Sequence, residues 1–186
     1  FGGIWLDADT IITDGKFIKK LKNFELSMLG EEKSQIQNIG FIVSSSNSSI
    51  IKEWLNEIIY KVSYYNTHYL NSKKRKKIKW NYLGNGIIDR LVKNTTSKKF
   101  FRLDRNKMNA LPEIKYFENS SLNNMQRYKR FYFRKGDPQF IIKKAKGIIL
   151  LHNSWTPPKY KKMSENEFLK QDIRLSKLLS KLLMDK

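Results

Sequence analysis

The feature that most constrains this chain is a strand that runs straight into a helix. Ile39-Gly40-Phe41-Ile42-Val43 is a short run of large apolar residues, the signature of a buried strand. Just after it, Ile50, Ile51, Trp54, Leu55, Ile58, Ile59 and Val62 recur at helical spacing. Ser48 or Ser49 stands where a helix N-cap belongs. A strand followed by an amphipathic helix over residues 50–62 points to an α/β fold, with the helix packed on a sheet. Ile4-Trp5-Leu6, expected to be buried on both faces, and Gly147-Ile148-Ile149-Leu150-Leu151 repeat the strand signal near either end of the chain. Phe24 to Gly30 and Phe100-Phe101 read as shorter strands, and Leu111-Pro112-Glu113-Ile114 as the edge of a sheet. From Tyr128 to Phe133 aromatic and basic residues alternate, which as a strand sets Tyr132 on one side and Phe131 and Phe133 on the other.

The first and last apolar runs deliver polar groups at their C-terminal ends. Ile4-Trp5-Leu6 opens into Asp7-Ala8-Asp9-Thr10, and the late run ends in His152-Asn153-Ser154-Trp155-Thr156-Pro157-Pro158. Where a strand ends and the backbone turns, two carboxylates one residue apart can converge on one hard cation. Mg²⁺ or Mn²⁺, completed by substrate phosphates, is the usual occupant of such a pair. Between these ends, the Gly84-Asn85-Gly86 turn feeds a helix beginning near Ile87 and Ile88, and a helix N-terminus can face a phosphate or sugar. Asp89 falls in the first turns of that helix, where the helix dipole also favours a carboxylate. His68 has no sequence neighbour that gives it chemistry.

Composition excludes several classes. The 186 residues are 40% hydrophobic and 13% aromatic, enough for a globular core. With no cysteine, disulfides, thiolate zinc sites and cysteine nucleophiles are all excluded, so any metal is held by oxygen or histidine. No apolar run approaches the roughly 18 residues of a membrane span. The formal net charge is +20, unevenly placed: residues 71–107 carry thirteen Lys or Arg against Asp89 and Asp104, and residues 127–146 carry eight against Asp137. Such clusters suit phosphate-bearing partners: a nucleotide diphosphate, an anionic lipid surface or nucleic acid. Lys73 to Lys79 is expected to be exposed loop. At the far end Ser164 and Glu167 form a capping box, and Phe168, Leu175, Leu178, Leu179, Leu182 and Leu183 line an amphipathic helix over about 165–184 with Lys170, Arg174, Lys177 and Lys181 among them. No internal repeat or linker divides the chain, so one domain over 1–186 is the economical expectation.

Gly2-Gly3-Ile4-Trp5-Leu6-Asp7-Ala8-Asp9, the strand and helix some forty residues on, and the late His152-Asn153-Ser154-Trp155 together resemble the capsular polysaccharide synthesis family and related sugar transferases. The resemblance implies a GT-A-like fold, a Rossmann-like mixed sheet with flanking helices, and a metal-dependent glycosyltransferase with a DxD motif. Such an enzyme moves a sugar from a UDP- or GDP-linked donor to a polysaccharide or lipid-linked glycan acceptor, with retention. It also implies roles. Asp9 would chelate the Mn²⁺ or Mg²⁺ bridging the donor phosphates, and Asp7 would hold the ribose, the sugar or a metal-bound water. His152 would complete the metal site or touch the pyrophosphate, while Ser154 and Trp155 would clamp the β-phosphate. Asn85 and Asp89 are the candidates for contact with the transferred sugar or the acceptor. In this family a nucleotide-binding half precedes the DxD strand, so the chain is expected to be the C-terminal part of such a domain. A cytoplasmic location, peripheral at the inner face of the cell membrane, goes with that reading.

Two other classes compete. Asp7-Ala8-Asp9-Thr10 after an apolar strand also resembles the first motif of haloacid-dehalogenase-type Mg²⁺-dependent phosphatases, with Asp7 as nucleophile, Ser44 ending the second motif and Gly136-Asp137 the last. Against it, the threonine falls one residue early and no second acid follows Asp137 at the required interval. A basic nucleic-acid-binding module rests on charge alone, without any recognisable recognition signature.

Overall fold

The computed structural model describes residues 2–70, 79, 81–96, 98–139 and 144–184. Most of the basic run from Lys73 to Lys79 lies outside the described residues. The strands are β1 (Gly3–Leu6), β2 (Thr10–Ile12), β3 (Leu26–Gly30), β4 (Gln37–Ser44), β5 (Phe100–Asp104) and β6 (Ile148–Leu150). The helices are α1 (Lys16–Leu21), α2 (Ser49–Tyr65), α3 (Asn85–Lys93), α4 (Pro112–Tyr116), α5 (Asn124–Tyr132), α6 (Pro158–Lys161), α7 (Glu165–Leu169) and α8 (Arg174–Met184). The protein is mixed α/β with a mixed sheet and flanking helices. It divides into two compact units, one made of residues 1–7 and 16–104, the other of residues 8–15 and 105–186.

The first unit is built on a four-stranded sheet in the order β1-β4-β3-β5. β4 pairs antiparallel with β1 and β3, and β3 pairs parallel with β5. One face carries Leu26, Met28 and Phe100, which pack with Ile50 of α2 and Ile88 and Val92 of α3. On the other face the Phe41 ring lies 6.0 Å from Phe17 of α1, and the buried Ser27 hydroxyl donates to the Leu21 carbonyl at 3.1 Å. Opposite β3 the register of β4 jumps between Ile42 and Asn38, so Gly40 sits in a bulge. The amide of Asp7 donates to the Gly40 carbonyl at 2.9 Å, and a Cβ on Gly40 would lie 2.6 Å from the Asp7 carboxylate. A side chain there would have to push the Asp7 and Asn38 side chains aside.

β1 corrects an expectation. All four of its residues are exposed, Trp5 by 62%, because it is an edge strand paired only through β4. α2 is also less buried than its pattern implied: it packs through Ile50, Ile51 and Trp54, while Leu55 and Ile59 are 53% and 55% exposed. Its N-cap is Ser48, whose hydroxyl accepts the Ile51 amide at 3.2 Å. Glu25 adds a second tie at that helix start. Its carboxylate accepts from the Ser49 amide at 2.9 Å and the Ser49 hydroxyl at 2.7 Å and pairs with Lys99 at 3.0 Å. The Ser49 hydroxyl above all, then Lys99, holds its pKa down to about 2. A carboxylate whose pKa is depressed on folding stabilises above its unfolded value of 4.5 and loses that stabilisation as pH falls toward 2. Glu25→Gln is therefore expected to cost about 1 kcal/mol at neutral pH, a value discounted for solvent screening, and nothing at pH near 2. Urea denaturation at the two pH values checks it.

The second unit holds the antiparallel pair β2–β6 and a core of Tyr128, Phe131, Tyr132, Ala145, Ile149, Leu175 and Leu178. Here two segments expected to be extended are helical. Tyr128 to Phe133 lies almost wholly in α5, which begins with a capping box between Asn123 and Gln126. Its buried Tyr128, Phe131 and Tyr132 follow a spacing of three and four, so the helical period decides. Leu111 to Ile114 likewise opens α4, with Pro112 at the first helical position, where its missing N–H costs nothing. The tail is two helices where one over 165–184 was expected. The Ser164–Glu167 capping box opens α7 as expected, but the chain turns after Leu169, burying Ile173 and setting the Asp172 carboxylate against Lys135 and Lys177 at 3.0 and 2.5 Å before α8 begins.

Candidate functional site

In the second unit β2 and β6 bring the two ends of the sequence together. Their register sets Thr10 against Leu150 and Ile11 against Ile149, and the Leu151 amide donates to the Asp9 carbonyl at 2.8 Å. Asp9, just before β2, therefore stands beside the residues just after β6. There the chain makes a single 3-10 turn over Asn153–Trp155, led in by His152. The Asn153 amide at the start of that turn donates to Asp9 Oδ2 at 3.4 Å, so the carboxylate caps the turn.

Tyr128 of α5 supports the turn from the core. Its ring meets those of His152 and Trp155 edge-on at 5.7 and 5.8 Å, and the His152 and Trp155 rings lie 4.0 Å apart. Its hydroxyl bonds the Thr156 side chain and the His152 main chain. The result is a polar turn with Asn153 and Ser154 exposed at its tip and a wall of buried aromatics behind.

The charges around the turn set the state of His152. Burial pushes its imidazole below the ordinary value of 6.5; the nearby Asp9 carboxylate pulls the other way and the Arg105 guanidinium reinforces burial. The neutral ring keeps a nitrogen lone pair for a metal or a hydrogen-bond donor. Arg105 also brings a fixed positive charge into range of the turn.

Of the residues singled out from sequence, Asp9, His152, Ser154 and Trp155 are brought together in this unit. Asp7, Asn85 and Asp89 belong to the first unit, each with a local partner. Asp7 Oδ1 accepts from the Trp5 indole at 3.3 Å. Asp89 Oδ1 accepts the Gln37 amide at 2.8 Å, and Asn85 donates to the Gln37 carbonyl at 2.6 Å, so the two side chains satisfy both main-chain groups of Gln37 and tie α3 to the start of β4. Burial raises the Asp89 pKa, and the Gln37 amide and the Arg102 charge oppose that rise. Sequence reading missed Tyr128, Thr156, Arg105 and the Asn153 amide. The Asn123-x-x-Gln126 capping box, together with the three-and-four spacing of Tyr128, Phe131 and Tyr132, was the signal that would have turned Tyr128 inward. His68, by contrast, is an exposed surface histidine stacked on Tyr64 at 4.0 Å.

Among the described residues no three His, Asp or Glu side chains gather as a ready-made metal cage. One carboxylate and one neutral imidazole remain at the turn, a donor set that suits Mn²⁺ or Mg²⁺ when phosphate oxygens and water complete the shell. Comparison of the chain with protein-family models, characterised proteins and solved structures finds no match, so the chemistry of the turn rests on its own residues.

Proposed function

We propose that this protein is a metal-dependent glycosyltransferase that moves a sugar, with retention, from a UDP- or GDP-linked donor to a polysaccharide or lipid-linked glycan acceptor. The observation that carries the reading is the pairing of β2 with β6, which joins Asp9 to the His152–Trp155 turn across more than 140 residues of sequence. A bound Mn²⁺ or Mg²⁺ would neutralise the charge that develops on the departing diphosphate. Asp9 and His152 would hold that ion. The Ser154 hydroxyl would donate to the β-phosphate, Trp155 would wall the site off from the core, and Arg105 would add a positive charge where negative charge accumulates. Retention of configuration needs no strong general base, and none of these side chains has to act as one.

The anionic or lipid-linked acceptor is suggested by the charge clusters at 71–107 and 127–146. No helix among the described residues is long and apolar enough to cross a membrane, so contact with a bilayer would be at its surface. The phosphatase alternative draws no support from the first unit. β1 and β4 run antiparallel with Gly3 against Ser44, so Asp7 and Ser44 lie at opposite ends of the pair, where that mechanism needs them side by side.

Calorimetry of UDP- and GDP-sugars on the full chain tests the reading. Binding is expected to require Mn²⁺ or Mg²⁺ and to weaken by about 100-fold in Asp9→Ala, the effect of losing one charged contact to the ion. Metal-dependent donor binding that survives Asp9→Ala unchanged would reject the proposal.

A further inference from the structure

Glu113 of α4 has no exposure to solvent and sits beside the aromatic core of the second unit. Its Oε2 accepts a 3.3 Å hydrogen bond from the Tyr132 hydroxyl, itself fully buried, and its Oε1 meets no donor among the described residues. A buried carboxyl with half of its bonding capacity unmet is costly, and an apolar side chain of similar volume would avoid that cost. The carboxyl stands two rings away from the candidate site. Tyr132 packs on Tyr128 at 4.9 Å, and Tyr128 in turn carries His152, Trp155 and Thr156.

We infer that Glu113 is a positioning residue for the candidate site: its buried carboxyl sets Tyr132 and Tyr128 and, through them, the rings of His152 and Trp155. The inference rests on the proposed function only for what the turn does, not for how the turn is held. Its physical basis is the change of bonding on losing the proton. A neutral carboxylic acid both donates and accepts, so it can share either role with the Tyr132 hydroxyl; a carboxylate only accepts. The ionised form also brings an unpaired charge into an aromatic core, and the tyrosine network has to reorient around it.

Burial raises the Glu113 pKa to about 7, opposed by its own backbone amide and by the Tyr132 hydroxyl, with no cation contributing among the described residues. Among the described residues the titratable groups that face it are Tyr132 and, beyond that ring, Tyr128, both from α5. The rings above them are therefore set to respond to pH in the neutral range.

The test needs neither metal nor nucleotide. The full chain is labelled with 5-fluorotryptophan, the Trp155 ¹⁹F resonance is assigned by its loss in Trp155→Phe, and its shift is followed against pH. A step centred near pH 7 is expected in the wild type and its absence in Glu113→Gln. In Tyr132→Phe the step shrinks and moves to higher pH, because the hydrogen bond that couples the carboxyl to the rings and favours the carboxylate is gone. His152 also titrates beside Trp155, but burial keeps its step below 6.5; His152→Gln removes that step and leaves the one near 7. A Trp155 resonance that is flat around pH 7 in the wild type, or a step that persists in Glu113→Gln, overturns the inference, and the wild-type trace alone decides the matter if a variant does not fold. A negative result here leaves donor binding through Asp9 untouched, and unchanged donor binding in Asp9→Ala leaves this inference standing.

Discussion

Tyr128→Ala is expected to destabilise the protein by about 4 kcal/mol, within the range that removing a fully buried large aromatic side chain costs. Tyr128 is completely buried, and its ring lies 4.9 Å from Tyr132, 5.8 Å from Phe133, 5.7 Å from His152 and 5.8 Å from Trp155. Truncation to alanine removes the surface that these four rings share, and a core at organic-crystal density closes such a void only in part. Tyr128→Phe separates packing from hydrogen bonding. It keeps the ring but loses the hydroxyl bonds to Thr156 and the His152 main chain, for an expected cost of about 1 kcal/mol. Urea denaturation of the three proteins measures both terms. A Tyr128→Ala variant within about 1 kcal/mol of the wild type would show that α5 is not the keystone of its unit. Tyr128→Phe is also expected to loosen the 152–156 turn without unfolding the protein, since the edge-on ring contacts remain.

The halves of the candidate site were legible in the sequence because each follows an apolar run that ends in polar residues. Asp9 and His152 could be paired on that ground alone, and the register of β2 on β6 shows the physical means. What periodicity does not carry is the identity of a strand's partner. Only Asp7, Ala8 and Asp9 stand between Leu6 and Thr10, yet β1 pairs with β4 in the first unit and β2 with β6 in the second. The two carboxylates of the opening motif consequently fall in different units, which spacing along the chain gives no means of seeing.

Burial of polar residues was the other thing hidden. Glu113 passed only as part of an expected sheet edge and Asp89 read as a first-turn or site carboxylate, but one is buried and accepts from the Tyr132 hydroxyl and the other receives a main-chain amide of β4. Asn85 and Asp89 show how a motif that suits a ligand can be spent on the fold itself: both main-chain groups of Gln37 are satisfied by α3, and Arg102 holds the Gln37 side chain at 3.1 Å. In α5 the error was one of period. Six residues are too few for the three-and-four spacing of Tyr128, Phe131 and Tyr132 to stand out against a mixed aromatic-basic strand, and the capping box just upstream at Asn123 and Gln126 is what adds weight to the helix.

Glu113 also gives the protein an unusual pH dependence, opposite in sign to that of Glu25. Its pKa stands near 7 in the folded state against 4.5 when unfolded. Below 4.5 both states hold the proton and the residue contributes nothing. Between 4.5 and 7 the unfolded chain releases the proton while the folded chain retains it, so stability falls by about 1.4 kcal/mol per pH unit. Above 7 both states are ionised and the loss levels off at about 3 kcal/mol. Glu113→Gln keeps the volume and a hydrogen-bonding partner for Tyr132 but has no proton to lose. The difference in unfolding free energy between variant and wild type is therefore expected to move by about 3 kcal/mol in favour of the variant across that window, and to be constant outside it. Taking the difference cancels Glu25 and the other carboxylates, which are common to both proteins. Urea titrations of the pair at intervals through the window read the slope directly. A flat difference would mean that the carboxyl finds a partner or water on ionisation, and that the core around Tyr132 tolerates the charge.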